Sequence, residues 1–147
     1  MKENKYIIKA LKEAKKALLK NEVPVGAVIV KNNKIISRAH NLVITKNDPT
    51  AHAEILVVKQ ACKKLQTPRL DDCDIYITLE PCAMCSATIS LSKIRRIFYC
   101  LNDKKFGCVE SNQTLYKDNS YYKPDIYSNI NPSLSMDLLQ KFFKNKR

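Results

Sequence analysis

The sequence predicts an α/β fold, a mixed sheet of five strands with helices on both of its faces. Three observations predict it. Short apolar runs alternate with longer stretches of helical periodicity in the order α-β-β-α-β-α-β-(α)-β-α, and such alternation places helices on both sides of a sheet. The first two strands are joined by a tight turn, so they pair antiparallel and the sheet is mixed. The 147 residues, 45% hydrophobic and 27% charged, suit a single domain, 1–147, and no repeat, low-complexity tract or linker divides them.

The elements follow in order. Ile7, Ile8, Leu11, Ala14, Leu18 and Leu19 recur at helical spacing and form one apolar stripe among lysines. "VPVGAVIV" (23–30) reads as a buried strand. Lys31-Asn32-Asn33-Lys34 is the turn, because asparagine tolerates positive φ, and "IISRAHN" (35–41) returns. After a loop, Thr50 is the expected cap of a helix running from Ala51 to about Leu65. "DIYIT" (74–78) is the third strand. Pro81 suits the first position of the next helix, where its missing N–H costs nothing. "RRIFYC" (95–100) is the fourth strand. The pattern from Leu101 to Lys123 is weak, with a short helix expected at 111–116. "DIYSNI" (125–130) is the fifth strand, and a basic amphipathic helix at about 133–146 closes the domain.

Lys and Arg number 26 against 14 Asp and Glu, a formal net charge of +12. That excess favours a polyanionic partner such as nucleic acid, although a general bias towards lysine would produce the same total. The lysines are spread along the chain, so the total locates no binding face. The apolar runs are too short to span a bilayer, and the first residues carry no secretory h-region. A reduced cytoplasmic protein is therefore expected. Its six cysteines then read as metal ligands or packed thiols rather than disulfides. Cys62 and Cys100 are expected to be packed, Cys73 and Cys108 partly exposed.

Cys82 and Cys85 in "PCAMC" stand three apart at a helix start, on one face, where two thiolates can share an ion. His52 in "AHAE" stands at another helix start and adds an imidazole donor. Three N/S donors leave a tetrahedral ion one open corner, the mark of a catalytic zinc site, whereas a fourth protein donor would mark a structural one. Candidates for that fourth donor are Cys62, Cys73, Cys100, Cys108 and His40. Residues two apart on a helix lie roughly 200° apart around its axis, so Glu54 would approach from another side than His52. Its expected role is the base, because two thiolates cancel the charge of the ion and leave it a weaker acidifier of water. Glu54 would equally favour the positive helix N-terminus.

"HAE" at 52–54 with "PCAMC" at 81–85 resembles the signature of the zinc-dependent cytidine and deoxycytidylate deaminase superfamily. "EVPVGAVIV", "HN" at 40–41, "NDPTAHAEI" and "LEPCAMCSATISLSKIRRIFYC" resemble the bacterial tRNA-specific adenosine deaminases, over nearly the whole chain. The resemblance implies a three-layer α/β/α cytidine-deaminase-like fold, one Zn²⁺ per subunit and a homodimer. It implies hydrolytic deamination of adenosine to inosine at the wobble position of tRNA, with the anticodon loop as partner. It further implies that Asn41 contacts the base, that Val25 and Ala27 line the pocket, that Asp103 lies near neighbouring nucleotides, and that Phe142 and Phe143 help hold the RNA. Lys104, Lys105, Lys144, Lys146 and Arg147 are candidate phosphate contacts. Phe106, Glu110 and Asn129 depart from the family pattern. Two other readings stay open: a deaminase of free bases or nucleosides such as guanine or cytosine, and a non-catalytic RNA-binding module with a structural zinc.

Overall fold

In the computed structural model, residues 2–112 and 114–146 are described; Arg147 lies outside them. The elements are α1 (Lys2–Leu19), β1 (Gly26–Lys31), β2 (Lys34–His40), α2 (Ala53–Leu65), β3 (Cys73–Leu79), α3 (Ala83–Leu91), β4 (Arg96–Leu101), a 3-10 turn at Leu115–Lys117, β5 (Asp125–Tyr127) and α4 (Pro132–Lys144). They form one five-stranded sheet in the order β2-β1-β3-β4-β5. β1 is antiparallel to both β2 and β3, while β3, β4 and β5 are parallel. This is the expected mixed sheet.

Alternation along the strands builds the two layers of core. On one face, Ala27, Ile29, Ile75, Ile77, Ile97 and Tyr99 pack with Ala53, Val57 and Ala61 of α2 and Ile89 of α3. On the other, Val28, Val30, Tyr76 and Phe98 pack with Tyr6, Ile7 and Leu11 of α1 and Leu138 of α4. Ile7, Leu11 and Ala14 set the buried stripe of α1. Ile8 and Leu19 fall off that stripe and are exposed, contrary to expectation. Cys73, expected partly exposed, is wholly buried because it opens a central strand; Cys62 is half-buried and Cys100 buried.

The turn between β1 and β2 is made by Asn32 and Asn33, with φ of 51° and 62°. Both are left-handed, as the tightest hairpin turn requires. The chain has two glycines, and neither has positive φ. They are there for room. A Cβ on Gly26 would meet the carbonyl oxygen of Ala10 and, at 2.5 Å, the amide nitrogen of Ala14, so β1 lies directly on the α1 backbone.

Several boundaries differ from expectation: β1 is Gly26–Lys31 rather than 23–30, and the short helix expected at 111–116 is a 3-10 turn at Leu115–Lys117. α2 starts at Ala53 rather than Ala51, because the Thr50 hydroxyl and amide both donate to Asp48 Oδ1 and are not spent on a helix cap. α3 starts at Ala83, with Cys82 as extended cap residue; the Pro81 carbonyl accepts the Cys108 amide at 2.9 Å. β5 stops at Tyr127 because Asn129 and Asn131 adopt left-handed φ of 59° and 52°. Asn129 thus serves a left-handed backbone position that glycine would also fit.

Glu22, 1% exposed, fastens the loop after β2. Its carboxylate accepts the Ile44 amide at 3.1 Å and the Thr45 amide and hydroxyl at 2.6 and 2.7 Å. Burial opposes ionisation, but these bonds outweigh it and hold the carboxyl below its ordinary value. A lowered folded value means that this stabilisation is complete above the ordinary carboxylate range and disappears as pH falls through the folded value. Glu22→Ala should cost about 1–2 kcal/mol near neutrality. Thermal melts against pH should show that the deficit narrows in acid.

Candidate active site

The direction of the strands assembles the site. Because β1 runs against both β2 and β3, these two strands leave the sheet at the same end, and β4, parallel to β3, leaves there too. The segments that follow them carry His52, Cys82 and the loop 102–111. In open α/β sheets this end of the strands is where ligands bind.

His52 and Cys82 are both helix-cap residues. His52 has φ −74° and ψ 151°, Cys82 φ −74° and ψ 179°, and their carbonyls accept the amides of Leu56 and Ser86. An extended cap turns its side chain away from the helical screw. His52 is therefore not bound by the 200° offset from Glu54, which belongs to the first turn proper. His52 Nδ1 lies 3.7 Å from Cys82 Sγ and 3.6 Å from Cys85 Sγ. The three donor atoms lie within 4.8 Å of one another and could hold a metal ion. No fourth donor joins them among the described residues. His40 in particular is engaged elsewhere, with Nδ1 at 3.0 Å from Glu13 Oε1 and Nε2 at 3.1 Å from Lys20 Nζ.

Glu54 is 4% exposed, and its Oε1 is buried without a hydrogen-bond partner. Burial pushes its carboxyl up to about 7, against the opposing pull of its own backbone N–H. Cys82 moves the other way, down to about 4, as a hydrogen bond from Cys85 and then one from His52 favour its thiolate. The same bond to Cys82, with burial, holds the proton on Cys85. His52 is raised by its bond to Cys82. Two helix N-termini add positive potential here. The cluster thus favours negative charge on sulfur and suits a divalent cation.

Asn41, 7% exposed, ties the site to the sheet. Its Oδ1 accepts the Ala53 amide at 2.7 Å, satisfying one orphan donor at the start of α2. This orients its Nδ2 as the remaining polar group of the side chain. Val25 is buried at 5% exposure, and Ala27 has no exposed surface. Any part Ala27 plays in a pocket acts through packing. Asp103 caps its own turn, with Oδ1 accepting the amides of Lys105 and Phe106 at 3.1 Å. Phe142 is buried on the inner side of α4, and Phe143 is exposed at 60%, their rings edge to face. Glu110 accepts a hydrogen bond from the Tyr99 hydroxyl. Sequence reasoning missed Glu80, whose carboxylate is surrounded by the loop 102–111; only its place directly before Pro81-Cys82 pointed to it.

A His-x-Glu and a Pro-Cys-x-x-Cys brought to one end of the strands define the class of hydrolytic nucleobase deaminases. The profile of the MafB19-like deaminase family matches residues 1–147. A tRNA-specific adenosine deaminase of Rickettsia bellii is 48% identical over 141 residues, which cover 94% of this chain and 97% of that protein. One from Aquifex aeolicus is 47% identical over 146 residues, covering 97% and 95%. A solved structure described under A-to-I editing by tRNA:A34 deaminases at the wobble position superposes with a TM-score of 0.89 at 43% identity. That match spans 91% of this chain and 98% of the other. The chain belongs to the MafB19-like deaminase family and to the tRNA-specific adenosine deaminases.

Removing any one donor should remove the ion. Elemental analysis of Cys85→Ser and His52→Ala is expected to find less than about a tenth of the metal bound by the parent chain, since such sites need every ligand in place.

Proposed function

We infer that the chain converts adenosine to inosine by hydrolysis at the wobble position of a tRNA, with one zinc ion per subunit. The observation that carries this reading is Glu54 Oε1, an orphaned buried acceptor beside a three-donor cluster. The donors fit zinc: bonds of about 2.3 Å to sulfur and about 2.0 Å to nitrogen at a tetrahedral angle separate S and N by roughly 3.5 Å. The separations of 3.6 and 3.7 Å to His52 Nδ1 agree with that. Zinc bound there supplies the Lewis acidity that makes water nucleophilic near neutral pH.

The remaining steps belong to the chain. Glu54 takes a proton from the attacking water and delivers it to N1 of adenine, which readies C6 for attack. It then takes the remaining proton from the new C6 hydroxyl and passes it to the departing amino group, so that the C6 carbonyl forms as ammonia leaves. A carboxyl shifted upward by burial is suited to accepting and returning protons near neutrality. The Asn41 amide orients the base, with Val25 as apolar wall and Ala27 behind it. Asp103 stands near the neighbouring nucleotides. The exposed Phe143, anchored by Phe142, and the lysines of α4 and of 104–105 hold the anticodon loop. An anticodon loop suits this site because its bases are already partly splayed.

The assembly is a homodimer of single-domain chains that works in the cytoplasm; among the described residues no helix is long and apolar enough to cross a membrane. A deaminase of free bases would need neither the net charge of +12 nor an exposed phenylalanine on a basic terminal helix.

Incubation with tRNAs followed by sequencing should find inosine at the wobble position. Glu54→Ala should retain its metal and lose activity by about 10²–10⁴-fold. Unchanged activity in that variant would remove Glu54 from its role. Turnover of free nucleosides with tRNA untouched would transfer the chemistry to a small substrate.

A further inference from the structure

Glu80 takes no part in the chemistry above, yet it is 2% exposed and directly follows β3, on the way to Cys82. Its carboxylate is enclosed by one loop. Oε1 accepts the Asp103 amide at 3.0 Å, Asn102 Nδ2 at 3.2 Å and the Ser111 hydroxyl. Oε2 accepts the amides of Val109, Glu110 and Ser111 at 3.1, 2.7 and 2.9 Å. The two ends of the segment 102–111 are thus drawn onto a single anion. A further bond, from the Cys108 amide to the Pro81 carbonyl at 2.9 Å, seats the loop beside Cys82. Between these ends lies the projecting part, where Lys104, Lys105 and Phe106 are exposed. Asn102 Nδ2 also reaches Tyr99 Oη at 2.9 Å, and that hydroxyl donates to Glu110. Glu110 therefore extends the same network.

We propose that Glu80 is a positioning residue whose carboxylate gathers the loop 102–111 and sets how Asp103–Phe106 is presented to RNA. The proposal rests on the tRNA-deaminase reading for its substrate. Two features separate it from a general need for a buried acid. Apart from the Ser111 hydroxyl, which can also accept, the groups facing the carboxylate are N–H donors, and each oxygen faces at least one backbone amide, so a carboxamide of the same shape would set an N–H against a backbone N–H whichever way it turned. Gly107 completes the cradle. A Cβ there would meet Glu80 Oε1 at 2.5 Å and the Asp103 carbonyl oxygen at 2.6 Å, although the backbone conformation does not itself require glycine. The loop can therefore be loosened from either side, by Glu80→Gln or by Gly107→Ala.

The test uses the full chain with zinc and a tRNA transcript. Metal content, kcat and KM are measured with hydrogen exchange of the loop amides. Both variants should keep their metal and hold kcat at saturating tRNA within about threefold. KM should rise about tenfold or more, the pattern of lost binding rather than lost chemistry. Amides of 103 and 109–111 should exchange faster while those of α2 do not. An unchanged KM, a fall in kcat at constant KM, or loss of metal would overturn the proposal. If Glu80→Gln does not fold, Gly107→Ala and the milder Ser111→Ala are read by the same criteria. If the parent chain leaves tRNA unmodified, the tRNA reading fails; unaltered loop exchange in the variants would separately refute the gathering role.

Discussion

The site depends on two residues that belong neither to a strand nor to a helix. His52 and Cys82 are the extended residues at which the chain turns from loop into helix, and only that backbone state lets side chains from two helices meet in front of both N-termini. A histidine one residue further on would follow the helical screw and point elsewhere. The requirement reaches back into the sheet. Both caps must lie at the same end, and β1 secures this by running against each of its neighbours. Asn41 then locks the first helical amide, so that the position of His52 is referred to β2 rather than to a mobile loop.

On a chain carrying so much positive charge, acids would be expected to disperse among the lysines. Besides Glu54, three glutamates are instead withdrawn from solvent: Glu13, Glu22 and Glu80 are at most 4% exposed. Glu13 meets Lys16 and His40 and links α1 to β2. Glu22 and Glu80 bind backbone amides of loops at the site end of the sheet. A buried carboxylate is costly alone, but it can accept several donors that a loop otherwise leaves unpaired. These acids convert irregular segments with little apolar content into fixed walls. Glu54 differs from them in keeping an oxygen without a partner, as a group reserved for a reactant must.

Much of this was legible in the sequence because it is written in period and spacing. The alternation of strands and helices, the Asn-Asn turn and the pairing of "HAE" with "PCAMC" identify the sheet, its layers and the donor set. What could not be read depends on competition between partners. Thr50 looks like a cap until Asp48 claims its hydroxyl. Pro81 looks like a first helical residue until its carbonyl is taken by Cys108. Cys73 is expected to be partly exposed, yet it sits inside the core. The Glu80 cradle has no local pattern, since its donors lie more than twenty residues away and become neighbours only through the parallel pairing of β3 and β4.

The use of asparagine has a consequence for the unfolded chain. Among the described residues, Asn21, Asn32, Asn33, Asn47, Asn129 and Asn131 occupy left-handed backbone positions, with Gln66 and Lys93. Each accepts some steric discomfort in the native state, but a side chain also narrows the wandering of the denatured ensemble by comparison with glycine. At these left-handed positions the strain in the native state offsets that restriction of the unfolded chain. A chain almost without glycine thus starts folding from a less disordered coil, and its turns are partly chosen before its core has formed.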